Sequence, residues 1–345
     1  MTFSNYIYDN KADRHSFQID NIDLSIINSI RRIILSEIPV VAFYGEDEPT
    51  IEILFNSTPL HNEFMIHRIG LIPIHISESI TDSYTDDDYI FELNIENKDS
   101  KTINITTEHL SGTYKGTQLT KNELKLLFPP NHITNHHILI TRLRSGEHLH
   151  FKARAIKRTG QLNACFSPVS LSNFYFVKNE DEANTKDNIL DKERSYFKND
   201  YGDPTKINFQ IESINRLSYK YLFNKAIDII IEKLENIIIN LTNKTIVTEN
   251  IPNCPNSINF NIDNEDDTIG NLIQSIIHNN YIRNQSSECT YVGYICPHPL
   301  INKIIIRITL DNITDIHVFY NFFISNCKEI IKIMEKFKDE WNQFT

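Results

Sequence analysis

Thirteen histidines in a chain of 345 residues invite a search for metal chemistry. His61, Glu63 and His67 fall within residues 60–68, and His136-His137 and His148-Leu149-His150 present further imidazoles. A hydrolytic zinc site needs several such ligands around one open position, and the H-E-x-x-H spacing supplies two of them on one helix face. That spacing is absent, so polar packing is the favoured reading. A metal-dependent hydrolase built on His61, Glu63 and His67 is the alternative. The acidic run 82–88 lacks the residue order of a calcium loop and reads as a solvated turn. No nucleophile elbow or Gly-rich phosphate loop occurs. Cys165, Cys254, Cys289, Cys296 and Cys327 are odd in number, widely spaced and without a C-x-x-C pair. They read as free thiols of a reducing compartment, not as a disulfide framework or a four-cysteine zinc site. No catalytic set, metal site or cofactor site is expected. Arg31-Arg32 lies inside an otherwise apolar helix. Those guanidiniums either project to solvent or anchor a partner through forked hydrogen bonds.

The elements that would position these groups follow from length and pattern. The size allows two or three domains, or one with an insertion. There are 34 basic and 45 acidic residues, giving a formal charge of −11. This balance argues against a nucleic-acid coat or a basic membrane-surface protein. No run approaches the roughly 20 apolar residues of a membrane span, and no signal-peptide pattern opens the chain.

Residues 16–20 read as a strand. Asp23 or Ser25 then caps a helix to about Glu37, with Ile27, Ile30 and Ile34 as its stripe and Pro39 as its stop. Short apolar runs between 40 and 180 (51–55, 89–95, 102–106, 137–143, 149–156) predict mainly strands. The polar stretch 178–205 predicts a mobile loop, and 207–214 a strand. The spacing of Leu222, Ala226, Ile230, Leu234, Ile237 and Leu241 predicts a helix over 217–241 whose stripe is too broad for one partner. Residues 242–256, with Pro252 and Pro255, read as a flexible linker. Beyond it come a strand at 257–262 and a helix capped by Thr268 with Ile269, Leu272 and Ile273 on its face. Strands near 290–295 and 303–309 follow. A last helix, 314–340, carries Phe319, Phe322, Phe323, Ile330, Met334 and Phe337.

The segment 25–30 (SIINSI) is echoed at 268–273 (TIGNLI), each just after a short strand. Each half also closes with a long amphipathic helix. This predicts two related units in one α+β chain, paired as an intrachain pseudo-dimer. The expected first unit is 1–46 with 206–241, interrupted by a mainly β insertion over 47–205, and the second is 257–345. Ile27, Ile30, Ile34, Leu222, Ile230, Leu234, Ile237, Ile269, Leu272, Ile273, Phe322 and Phe323 are the expected pairing residues.

At these residues the chain resembles a known family. Segment 28–39 (NSIRRIILSEIP) is similar to the signature helix of the α-like subunits of multisubunit RNA polymerases, and 60–74 (LHNEFMIHRIGLIPI) to their next block. Segments 151–155, 164–168 and 209–213 follow in the order seen in the third-largest subunit of eukaryotic RNA polymerase II and in its archaeal counterpart. Segments 265–273 and 292–300 resemble the eleventh subunit and the archaeal equivalent of that smaller chain. The resemblance implies a fusion of the two α-like subunits, like those of large cytoplasmic DNA viruses.

What it implies further is a scaffold that is not itself an enzyme. It would bind the second-largest and then the largest polymerase subunit, and small subunits besides, without touching nucleic acid or membrane. The dimer would be an intrachain pseudo-heterodimer rather than a homodimer. Arg31, Arg32, Glu63, His67 and Arg68 would face the large subunits. The location would be cytoplasmic, in a viral factory or virion, or nuclear if the chain is cellular. Many third-largest subunits hold zinc through four cysteines after the second block. Residues 75–100 here contain no cysteine, so no zinc is expected.

Overall fold

Asp23 opens the first helix, Leu24–Ser36: its backbone is extended and its carboxylate accepts the Ser25 amide. Such a cap satisfies a donor that the first helical turn leaves without a partner. Ile26, Ile27, Ile30, Ile33 and Ile34 are buried along this helix at the spacing of one apolar face. The computed structural model describes residues 2–47, 49–214, 217–252, 254–286 and 288–344.

The helix lies on a four-stranded antiparallel sheet ordered Thr2–Asp9, Arg14–Asp20, Lys206–Ser213, Val169–Phe176. The long helix Tyr219–Thr242 completes this front unit. The rear unit repeats the plan. Its antiparallel sheet runs Val247–Ile251, Cys254–Asp263, Lys303–Leu310, Cys289–Ile295, and its helices are Asp267–Ile277 and Ile316–Phe344.

The repetition reaches single positions. Phe17 pairs with Phe209 and Ile19 with Ile207; in the rear sheet Phe260 pairs with Ile306 and Ile262 with Ile304. The buried residues Ser25, Ile26, Ile27, Ser29, Ile30, Ile33 and Ile34 recur, at identical steps, as Thr268, Ile269, Gly270, Leu272, Ile273, Ile276 and Ile277. Likewise Leu222, Phe223, Ala226, Ile227, Ile230, Leu234, Ile237 and Leu241 recur as Phe322, Phe323, Asn326, Cys327, Ile330, Met334, Phe337 and Trp341. Two units that bury the same register of positions are the α+β pseudo-dimer the pattern predicts.

The insertion has its own core. A five-stranded sheet ordered Ile51–Asn56, His148–Arg154, Tyr89–Glu96, Ser111–Tyr114, Thr117–Gln118 surrounds Phe91, Leu93, Phe151 and Met65. The strand Val40–Ala42 leads into it, and its consecutive side chains enter three different clusters, Val40 the main core, Val41 the insertion core and Ala42 a small third one. A strand whose neighbouring residues point to opposite faces can serve two cores at once.

Several expectations need correction. Val169–Phe176 pairs with Lys206–Ser213, so the front unit's sheet resumes at Val169 rather than at 206. Segment 178–205 carries two short helices, Glu180–Asn184 and Ile189–Glu193, and bridges Lys178 to Tyr196 and Lys198 to Pro204. The supposed linker is largely a hairpin, because Val247–Ile251 forms the edge of the rear sheet. The rear helix is capped by Asp266, which accepts from the Thr268 amide, rather than by Thr268. The strand Thr2–Asp9 and the helices Asn62–Gly70, Glu78–Ser83 and Lys121–Leu127 were not expected.

Candidate assembly interface

All twelve expected pairing residues belong to one buried cluster that continues through both units. The long helix Tyr219–Thr242 lies against Ile316–Phe344, and Leu24–Ser36 lies against Asp267–Ile277. Burying one large aliphatic or aromatic side chain is worth roughly 1.5–3 kcal/mol, so neither unit can expose this surface cheaply. Aromatic rings close one end of the contact. Trp341 of the rear helix stands 4.3 Å from the Phe223 ring and 4.8 Å from Phe17, and Phe337 stacks on Phe3 at 5.0 Å.

A polar seam runs across the same contact. Arg32 donates through Nε to Thr268 Oγ1 at 2.8 Å and through its terminal nitrogen to Asp266 at 3.0 Å. In the corresponding rear position, Ser275 Oγ donates to Asp23 at 3.2 Å. Each helix's capping aspartate is thus held by the opposite helix. Ser29 Oγ adds a bond to the Thr268 carbonyl at 3.0 Å. Lys233 bridges Glu37 at 2.9 Å and Glu265 at 3.1 Å. Burial pushes the Glu265 carboxyl up to about 7, with Lys233 opposing and Glu37 and Asp266 assisting. Burial works against the Lys233 charge, but Glu265 and Glu37 outweigh it and raise the group. Burial likewise works against the Asp266 charge, but the Thr268 hydroxyl and amide, aided by Arg32, hold the carboxyl below its usual value.

Three of the five residues expected to face the large subunits, Arg31, Arg32 and Arg68, also make contacts within the chain. Arg32 makes its two cross-seam bonds inside the chain while remaining 36% exposed. Arg68 donates to the carbonyls of Ile140 at 3.1 Å and Leu139 at 3.0 Å, bracing the helix Asn62–Gly70 against a neighbouring strand. Arg31 is half-buried and donates to Asn28 Oδ1 at 3.0 and 3.1 Å. Burial, and then the neighbouring Arg32, lower its pKa. Glu63 and His67 are exposed on the Asn62–Gly70 helix. Beside them Phe64 is 63% and Leu71 58% exposed, and a concavity of about 590 Å³ is lined by Asn56, Leu60, Asn62, Glu63 and Phe64. Phe64 and the Leu60 side chain give this concavity an apolar part beside the polar Asn56, Asn62 and Glu63.

The hydrolase alternative finds no support. His61 precedes the helix, Glu63 stands in its first turn and His67 in its last. Among the described residues no three His, Cys, Asp or Glu side chains gather as a metal would require. His148 and His150 instead meet Asn94 and Glu92 across the sheet, each at 2.7 Å. The acidic run is not a plain solvated turn. Asp86 pairs with Arg158 at 2.8 Å, Asp87 with Arg154 at 2.9 Å and Asp88 with Lys115 at 3.4 Å. Asp82 meets Lys225 at 3.2 Å and the Tyr221 hydroxyl at 3.0 Å. Just before it, Glu78 accepts from the hydroxyl of Ser218, the cap of the long helix, at 2.6 Å. The run therefore ties the insertion to the front unit.

Sequence reasoning missed Glu37, Lys233 and Glu265. The one available signal was a lysine amid an isoleucine-rich helix, and its partners lie far away in sequence. No described helix is long and apolar enough to cross a membrane.

The model of the RNA polymerase Rpb3/Rpb11 dimerisation domain matches residues 16–234, and a second model of the same description matches 257–340. The chain is 27% identical over 193 residues to "DNA-directed RNA polymerases II, IV and V subunit 3" of Arabidopsis thaliana, covering 51% of this chain and 58% of that one. It is 29% identical over 188 residues to "DNA-directed RNA polymerases I and III subunit RPAC1" of Homo sapiens, covering 47% and 51%. It is 27% identical over 176 residues to "DNA-directed RNA polymerase II subunit rpb3" of Dictyostelium discoideum, covering 48% and 55%. The chain thus spans little more than half the length of these curated relatives. With matched buried registers in its halves and a family match on each, the chain belongs to the RNA polymerase Rpb3/Rpb11 dimerisation-domain family and carries two such domains in tandem.

Proposed function

We propose that this protein is a non-catalytic assembly subunit of a DNA-dependent RNA polymerase. Its two halves form an intrachain pseudo-heterodimer on which the second-largest and then the largest subunit build. Nucleotidyl transfer belongs to the completed complex. The single core shared by both halves carries this reading, because it makes a preformed platform of one polypeptide. The exposed Glu63, Phe64, His67 and Leu71 offer a mixed polar and apolar surface for a large partner. The net charge of −11 suits a part held away from nucleic acid.

Affinity purification of tagged protein from its native source, with mass spectrometry, tests the proposal. Two much larger polymerase chains should co-purify in stoichiometric amounts. Their absence from an intact preparation would falsify the assembly role.

A further inference from the structure

The two ends of the contact between the halves are chemically unlike. At one end Lys233 lies between Glu37 and Glu265, with side chains 19%, 10% and 10% exposed. Glu37 and Lys233 come from the front half and Glu265 from the rear. In the register that relates the halves, the positions of Lys233, Glu37 and Glu265 are taken at the other end by Ile333, Asn280 and Ile22. Ile22 is buried and Ile333 packs against the shared core. The Asn280 amide nitrogen is buried with no hydrogen-bond partner among the described residues. At these three positions one end is ionic and the other holds two isoleucines and an amide; the charge nearest them, Asp23, is held by Ser275 and Asn279 rather than by a cation.

We propose that the ionic end selects which halves pair. A rear half set against a second rear half about the same axis would bring Glu265 to Ile333, leaving a buried carboxylate without a cation. Asp266 would then meet Ser275 instead of Arg32. A front half set against a second front half would keep Lys233 with Glu37 but place Ile22 where Glu265 stands. Only front against rear completes the Glu37–Lys233–Glu265 group. A buried carboxylate without its cation carries a large penalty or must take up a proton, so the group excludes rear against rear, whereas front against front loses only the Glu265 partner. Front therefore pairs with rear, and like halves do not pair with each other.

The test uses the full chain, refolded from denaturant over a range of protein concentrations and analysed by size exclusion with light scattering. The wild type should remain a one-chain species. Two variants remove the charges. Glu37→Asn with Lys233→Ile and Glu265→Ile copies the opposite end, whereas Glu37→Gln with Lys233→Met and Glu265→Gln keeps the side-chain shapes. With the penalty gone, the two-chain fraction should rise about tenfold or more at the highest concentration. A charge-free variant that refolds and stays one-chain at every concentration overturns the proposal. If neither variant folds, the group is a folding element and not a selector, and the proposal fails equally.

Discussion

Arg32 of the front half reaches Asp266 of the rear at 3.0 Å, and Asp266 is the residue that caps the rear helix. Both side chains are a little over a third exposed, so solvent screens the pair. A double-mutant cycle of Arg32→Ala and Asp266→Ala should give a coupling of about 0.5–1 kcal/mol in denaturant unfolding. Asp266→Ala alone should cost about 1 kcal/mol more than Arg32→Ala, since it also removes the cap. Additive effects of the two changes would contradict the cross-seam contact.

Acidity should act on stability through Glu265. Its folded value of about 7 lies above its ordinary 4.5, so the folded state holds this proton more tightly than the unfolded one. The stabilisation from this group is complete below about 4.5 and is lost as pH rises through about 7. Urea midpoints for the wild type should therefore fall across that window more steeply than those of Glu265→Gln. Parallel curves would show that Glu265 ionises normally.

Gly270 occupies the rear position matched by Ile27 in the front helix. A methyl group there would stand 2.6 Å from the Tyr294 ring. Gly270→Ala should destabilise the chain by about 1–3 kcal/mol through overpacking, despite alanine's higher helix propensity. An unchanged or raised melting temperature would mean that the ring moves aside freely.

Ser218 caps the long helix through the Tyr221 amide and donates to Glu78 of the insertion. Ser218→Ala should cost about 1–2 kcal/mol. Amide exchange should quicken near Glu78 as well as in the first helical turn. Acceleration in the helix alone would show that the Glu78 contact bears no tension between insertion and front unit.

Ile230→Asp buries a carboxylate where the core offers only hydrocarbon, at a cost of several kcal/mol, comparable to a domain's whole stability. Soluble expression and polymerase co-purification at wild-type levels would place Ile230 outside the core.

The long helices were legible because apolar spacing reports burial directly: Leu222 to Leu241 needed no knowledge of the partner. The echo between 25–30 and 268–273 was legible for the same reason, since matched burial leaves matched residue types. The strand Val169–Phe176 reads from sequence as part of the insertion because its pairing with Lys206–Ser213 spans a long excursion, and local pattern does not report which sheet a strand joins. The polar seam was hidden too. Arg32 in isolation looks like a surface group, and only the return of residues 265–268 to its side gives it Thr268 and Asp266 as acceptors.

Residues 243–246 are all that separate the long front helix from the first rear strand. Two freely diffusing subunits must be made in equal dosage and must find each other, and their union loosens on dilution. Here one ribosome delivers both members at once, and the four-residue tether keeps each half beside its complement from the moment it is made.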